Sequence, residues 1–456
     1  MSNQARYNLT EGPIFSKLFR LSVPIMATGL FQTAHTLTNM FWLSRLGEGY
    51  VAAAGLAGQF MWLSFSLIML FRIGTEIGVS QNMGRGEPDA AKAFAQNGFM
   101  MAIFIGVIFA ALVVTFRVTL LRFFNIGDDY VADIAQRYMA IIALALPFQF
   151  GHFVITGVYS GFGNTKLPFY INSAGLVLNI ILSPILIFVL DWGVIGAAAA
   201  LAIANVFNFC VKIWAMTKYK GRPFEKYAPF VRLAKDKAKQ ILKWGLPVGA
   251  EQMLGAFLFM LMTRIIAGFG YQAVAAHQVG MQVESLSFMV GAGFASAITA
   301  FIGQNYGAKK WGRMRSTYKV SFTFMAIYGV IITAVLFFGA TPFVSIFLSE
   351  PESIAIGTNY LRIIAIAQLL FCMEGVATGS FRGRGLTMKP TIVSVSSNVF
   401  RVIICLALSL TVLGITGVWW GIVAAMTMRS VWLLIWHKLN IQKMPKTDEV
   451  VTQASA

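Results

Sequence analysis

The chain has 456 residues, of which 57% are hydrophobic and only 12% charged, and its mean hydropathy is +0.70. A soluble domain carries about 25% charge, so the composition excludes a soluble globular protein and indicates an integral membrane protein. The formal net charge of +18 suits polyanions in principle, and its placement in loops decides what it means.

A helix that crosses a bilayer needs about 20 mostly apolar residues, and twelve such runs are separated by charged or Gly/Pro-rich breaks. In chain order they are predicted at 14–44, 53–82, 95–122, 131–161, 166–190 and 194–217, and then at 238–268, 275–306, 317–345, 355–382, 389–412 and 417–438. The one long polar linker begins at Lys218-Tyr219-Lys220-Gly221-Arg222-Pro223, which cannot continue a helix. The expected organisation is an N-lobe over 1–217, a cytoplasmic linker over 218–237, a C-lobe over 238–440 and a disordered cytoplasmic tail over 441–456. The basic stretch 231–243 is expected to lie on the membrane surface as an amphipathic helix. The polar segment before Ile14 precedes a long apolar run and does not read as a cleavable signal peptide.

The two halves repeat. Pro24 matches Pro247 (247 − 24 = 223), and the same offset links Gly47 to Gly270, Gln59 to Gln282 and Gln81-Asn82-Met83-Gly84 to Gln304-Asn305-Tyr306-Gly307. The offset becomes 222 where Gly163 and Pro168 match Gly385 and Pro390, and 221 where Gly193 and Gly196 match Gly414 and Gly417. A multi-helix unit was therefore duplicated. An even number of crossings separates matching points, so the halves enter the membrane from the same side, as a parallel pseudo-two-fold repeat. The fold class expected is all-α, twelve transmembrane helices in two six-helix bundles.

Lys and Arg crowd alternate loops: Arg85 and Lys92, Lys166, Lys309, Lys310, Arg313 and Arg315, and the linker. Acidic residues such as Glu48, Asp128, Asp191 and Glu350 occupy the opposite loops. The positive-inside rule then puts both termini in the cytoplasm, and the charge serves orientation and contact with anionic lipid heads without nucleic acid. Cys210, Cys372 and Cys405 all lie in apolar runs and form no CxxC or metal pattern. Dense small residues, as in Ala52-Ala53-Ala54-Gly55 and Gly196-Ala197-Ala198-Ala199-Ala200, allow helices to pack closely in lipid.

Leu9-Thr10-Glu11-Gly12-Pro13-Ile14, the Pro24-centred first helix, Arg45-Leu46-Gly47 with Ala52-Ala53, Gly303-Gln304-Asn305-Tyr306-Gly307-Ala308 and Ser380-Phe381-Arg382-Gly383-Arg384-Gly385 occur in that order. Over residues 9 to about 438 the chain resembles multidrug and toxic compound extrusion (MATE) transporters, and its opening motif resembles the bacterial DinF-like or MepA-like branches. The resemblance implies an inner-membrane exporter of bulky, often cationic, amphiphilic drugs, driven by inward H+ or Na+ flow. It implies no cofactor, and a monomer is expected. Two departures matter: where many relatives carry helix 1 and helix 5 aspartates, this chain has Asn39 and, in Asn179-Ile180-Ile181-Leu182-Ser183-Pro184, Ser183. Asn and Ser can coordinate a cation or bond a substrate but do not titrate near neutral pH.

Ionisable groups at membrane depth are costly, and they are usually paired or line a wet cavity. Arg72 and Glu76, at i and i+4 on helix 2, read as a structural ion pair. The C-lobe holds Glu251 on helix 7, Glu284 on helix 8, Glu374 on helix 10 and Arg401 on helix 11. In relatives that use C-lobe carboxylates the matching acids lie about one turn from Glu251 and Glu374. These two are the leading coupling residues, and Arg401 is the expected cation for Glu374 in a structural reading. Gln59 and Gln282 are repeat equivalents; Gln278, Gln282, Ser285 and Met289 share a helical stripe suited to a central cavity or to helix contacts. His152 maps onto Glu374 (374 − 152 = 222). The competing function is a flippase of lipid-linked or amphiphilic substrates from the related superfamily. An enzyme is disfavoured because no HExxH, DDxxD or GxSxG is present.

Overall fold

A computed structural model of the protein describes residues 7–46, 48–122, 129–445 and 448. The described chain is all-helical: α1 (Ile14–Ser44), α2 (Glu48–Arg85), α3 (Pro88–Arg122), α4 (Asp129–Phe162), α5 (Lys166–Pro184), α6 (Gly193–Thr217), α7 (Lys235–Ala267), α8 (Tyr271–Gly307), α9 (Trp311–Phe338), α10 (Pro351–Gly383), α11 (Met388–Ser409) and α12 (Gly414–Gln442). All twelve are long and apolar enough to cross a membrane, which bears out the fold class.

Helix ends depart from expectation where local chemistry intervenes. The fifth run stays α-helical to Pro184 and then widens into a π-turn, Ile185–Val189, with Leu190 N donating to Ile185 O at 2.9 Å; a proline with no N–H to give the ladder sits where the widening begins. The ninth run breaks at Gly339, and a six-residue helix, Ala340–Ser345, follows. The stretch 231–243 is not a separate surface helix. It is coil to residue 234 and then the first turns of α7, and Ala234 N donates to Asn97 Oδ1 of α3 at 2.7 Å. The linker ahead of it also packs down: Gln96 donates to Ala228 O at 2.8 Å, and Phe224 and Tyr227 are buried. Burial pushes the Tyr227 phenol above its ordinary value. The tail expected to be disordered is docked where it is described. Arg315 donates to Met444 O at 2.8 Å, and Gly312 N donates to Asp448 Oδ1 at 2.6 Å.

Packing divides the chain differently from the duplication. One compact unit is built on Ala27–Gly249; the other combines Leu9–Met26 with the chain from Ala250. The two cuts, after Met26 and after Gly249, lie one repeat apart (249 − 26 = 223), two residues beyond Pro24 and Pro247, which interrupt the helical ladder. In the second unit the N-terminal segment is clasped by α8 and α9. Leu9 N donates to Gln304 Oε1 at 2.9 Å, Asn305 donates to Leu9 O at 3.3 Å, Lys310 to Thr10 O at 3.1 Å and Arg313 to Glu11 O at 2.7 Å.

The closest helix pairs obey the repeat. In the first unit α4 lies against α2, and a Cβ on Gly161 would sit 2.7 Å from Glu76 O. In the second unit α10 lies against α8, and a Cβ on Gly383 would sit 2.6 Å from Thr299 O. Gly383 is 222 residues beyond Gly161, and Thr299 is 223 beyond Glu76. The repeat glycines of the loops also share a requirement: Gly163, Gly385, Gly193 and Gly414 have φ of 98°, 76°, 52° and 52°, a region that residues with a Cβ rarely adopt.

Gly161→Ala and Gly383→Ala push a methyl into a carbonyl and should each cost about 1–3 kcal/mol. Thermal unfolding of the detergent-purified protein should show a lower Tm for both, whereas Gly55→Ala, where nothing lies within 4 Å of the added Cβ, leaves Tm near wild type.

Candidate functional site

Four helices of the second unit converge on two carboxylates. Glu374 of α10 is 2% exposed; its Oε1 lies 2.7 Å from Arg429 Nε, and its Oε2 accepts from Ser430 Oγ at 3.0 Å, both on α12. Glu251 of α7 accepts from Thr391 Oγ1 of α11 at 3.3 Å and lies 3.6 Å from the Arg382 guanidinium of α10. Glu251 and Glu374 are close enough to interact electrostatically, and Arg429 acts on both. The two leading sequence candidates thus share one cluster.

The cation paired with Glu374 is Arg429, where the sequence reading had put Arg401. The reason is packing: α10 runs along α12 and barely touches α11, so a residue of α12 reaches the carboxylate first. Arg401 sits instead within electrostatic reach of Cys405, Tyr360 and Glu284. Glu284 of α8 belongs to a second polar group, in which Tyr360 donates to Oε2 at 3.0 Å and Gln368 donates to Oε1 at 3.1 Å. Gln368 accepts in turn from Ser287 Oγ at 3.0 Å. His277 closes this layer, stacked on Trp419 with ring centroids 5.6 Å apart.

In the first unit His152 of α4 is buried, and its Nε2 pairs with Asn205 Oδ1 of α6 at 3.1 Å. Its Nδ1 is 3.2 Å from Lys212 Nζ, also on α6. Asn179 and Ser183 are fully buried one turn apart on α5, and their polar side-chain atoms, like Asn39 Oδ1 on α1, have no hydrogen-bond partner among the described residues. Arg72 donates to Met69 Sδ at 3.7 Å and Glu76 is fully buried on the same helix. On α8, Gln278 and Gln282 are exposed, and Ser285 Oγ donates to Gln282 O at 2.7 Å. The side chain of Gln59 lies outside the described residues. Among the participants that escaped sequence reasoning are Lys212, Arg429 and Tyr360. Lys212 carried the clearest signal, a lone ammonium inside the apolar run 194–217.

Glu374 is the buried member of its ion pair, and removing the partly exposed Arg429 strands its charge. Arg429→Gln should therefore destabilise the protein by about 3–5 kcal/mol, read as a lower Tm, and adding Glu374→Gln should recover most of the loss. A double variant no more stable than the single one contradicts the pairing.

Comparison with known proteins agrees with the repeat. The sequence profile of the family described as MatE matches twice, over residues 24–185 and 247–407, the two starts falling on the repeated prolines. The chain is 24% identical to a probable multidrug resistance protein NorM of Thermotoga maritima, over 96% of each chain. It is 22% identical to the multidrug export protein MepA of Staphylococcus aureus, over 99% of this chain and 100% of that one. Among solved structures, it superposes with a TM-score of 0.90 on one described as an outward-facing multidrug resistance MATE family transporter of the MOP superfamily. That match is 21% identical and covers 97% of this chain and 99% of the other. With both halves matched by the family profile and the same all-helical fold, the chain belongs to the MatE family.

Proposed function

We propose that the protein is a secondary active multidrug exporter that moves amphiphilic, often cationic, organic compounds out of the cell by alternating access, in exchange for inward H+ or Na+. Family membership and the printed names of its relatives, multidrug resistance and multidrug export proteins, support the class. One observation carries the mechanism: Glu374 and Glu251 lie in one buried cluster in which each acid is held by an arginine and a hydroxyl from neighbouring helices.

An ion that arrives at Glu374 competes with Arg429 and Ser430 for the same oxygens. Protonation or Na+ binding then loosens α10 from α12, and re-forming the pair expels the ion. A unit charge moving through 100 mV yields about 2.3 kcal/mol, enough to shift an equilibrium between two conformations that differ by a few kcal/mol. Asn39, Asn179 and Ser183 add neutral polar atoms in the other unit that suit a dipolar or cationic solute without titrating. In this reading the protein works as a monomer in the cytoplasmic membrane, both termini inside, with anionic lipid heads meeting its basic loops.

The test is efflux of ethidium from proteoliposomes under a proton gradient and, separately, a sodium gradient. Wild type should transport under at least one of them. Glu251→Gln and Glu374→Gln should each lower the rate by about tenfold or more, the order expected when an interaction that drives the conformational step is removed. Wild-type rates in both variants sink the role given to these carboxylates.

A further inference from the structure

Lys212 is fully buried on α6. A lone ammonium in such surroundings is costly, and an ionisable group at membrane depth marks a functional site. Among the described residues none of its hydrogen-bond partners is a carboxylate: Nζ lies 2.7 Å from Asn172 Oδ1 of α5, 2.9 Å from Thr156 Oγ1 and 3.2 Å from His152 Nδ1 of α4, and 3.4 Å from His152 O. Burial weighs most on both groups; after it, Arg72 of α2, a second cation, acts on Lys212, and Lys212 acts on His152. Glu76 lies one turn beyond Arg72 on α2. Among the described residues, α5 contributes the neutral Asn172 to the cluster.

The surroundings fix where the hydrogens point. Asn205 spends its amide nitrogen on Leu201 O at 3.0 Å, so its Oδ1 accepts from His152 Nε2. The ring proton therefore sits on Nε2, and Nδ1 turns a lone pair to Lys212. Thr156 spends its hydroxyl proton on His152 O at 2.9 Å, so its oxygen accepts from Lys212. The ammonium's three protons then meet Asn172, Thr156 and His152 Nδ1. If the third proton passes to Nδ1, the imidazolium donates back to the Nζ lone pair, and the amine's remaining two protons keep Asn172 and Thr156. Both forms of the charged pair are fully hydrogen-bonded. The neutral pair is one proton short: the amine's two protons cannot meet Asn172, Thr156 and His152 Nδ1 together, and a buried acceptor left without a donor is a costly loss.

The duplication puts this pair in context. His152 is the repeat equivalent of Glu374 (374 − 152 = 222), and each is bonded to a cation on the sixth helix of its half, Lys212 on α6 and Arg429 on α12. The second pair sums to zero charge; the first sums to plus one.

We propose that His152 and Lys212 form a proton-carrying site. One proton is held between Lys212 Nζ and His152 Nδ1, and it passes to water when the α4–α6 contact opens. This half of the protein then couples to protons through a cation, with no carboxylate at Asn39 or Ser183. The place of this step in a transport cycle rests on the exporter reading; the existence of the site does not.

Nitrogen-15 NMR of histidine-labelled full-length protein in lipid nanodiscs reads the site directly, since the chain has four histidines and His152→Asn assigns the signal. Across about pH 5–8, the range in which histidine changes charge, His152 Nδ1 should report a protonation change in wild type that is absent in Lys212→Met. A flat wild-type response, or an unchanged one in Lys212→Met, overturns the proposal. In proteoliposomes under a proton gradient, Lys212→Met and Lys212→Arg should both lose ethidium efflux by about tenfold or more, because arginine keeps the charge but does not release its proton. Full activity of Lys212→Arg means that the cation only ties helices together and likewise overturns the proposal. If wild type moves no ethidium under either gradient, the exporter reading fails while the NMR result still decides the site.

Discussion

The approach of two helix backbones to van der Waals contact at a glycine is the constraint on which the rest of each unit depends. In lipid no hydrophobic effect presses helices together, and packing and interhelical hydrogen bonds must hold them. Gly161 against Glu76 O and Gly383 against Thr299 O bring α4 onto α2 and α10 onto α8. With those pairs fixed, α6 and α12 settle along α4 and α10, and the buried polar groups of the fourth helix of each half face the sixth. The same backbone frame then carries different chemistry. The two positions of α2 beneath Gly157 and Gly161 are Arg72 and Glu76, whereas those of α8 beneath Gly379 and Gly383 are Ala295 and Thr299.

Much of this was legible in the sequence. Pro24 and Pro247, Gly163 and Gly385, and Gly193 and Gly414 are spaced by the duplication, and each marks a backbone event that only its residue type performs: a ladder gap or a positive φ. Apolar runs located the helices because water cannot satisfy backbone groups inside a bilayer. Side-chain partners were harder to read. Arg401 and Arg429 are both single cations in apolar runs, and only the fact that α10 packs on α12 and not on α11 chooses between them. The linker misled for a similar reason. Its basic residues look like a surface helix, but the partners that draw it down, the acceptor Asn97 Oδ1 and the apolar core around Phe224, lie more than a hundred residues earlier or on the face that charge counting ignores.

The two halves emerge as one scaffold carrying different buried charges, Lys212 and Glu76 in the first and Glu251 and Glu374 in the second. One buries a lysine among neutral acceptors; the other buries two carboxylates matched by two arginines. In a low-dielectric interior such groups interact strongly with whatever charge enters. A charged group that enters either unit therefore meets different electrostatic surroundings in the two.

The clasp on the N-terminal segment has a consequence for biosynthesis. Leu9, Leu18 and Leu21 complete a core with Phe294, Ile298 and Phe301, and Leu9 is hydrogen-bonded to a residue 295 positions later. At about 5–20 residues per second, the opening turns of α1 wait roughly 15–60 seconds for their partners to leave the ribosome. The equivalent turns of α7 find theirs already made, because Ile241 and Gly245 pack on Gly74 and Leu70 of α2. The nascent chain therefore spends most of its synthesis with the apolar side chains of its first turns still without the core that buries them.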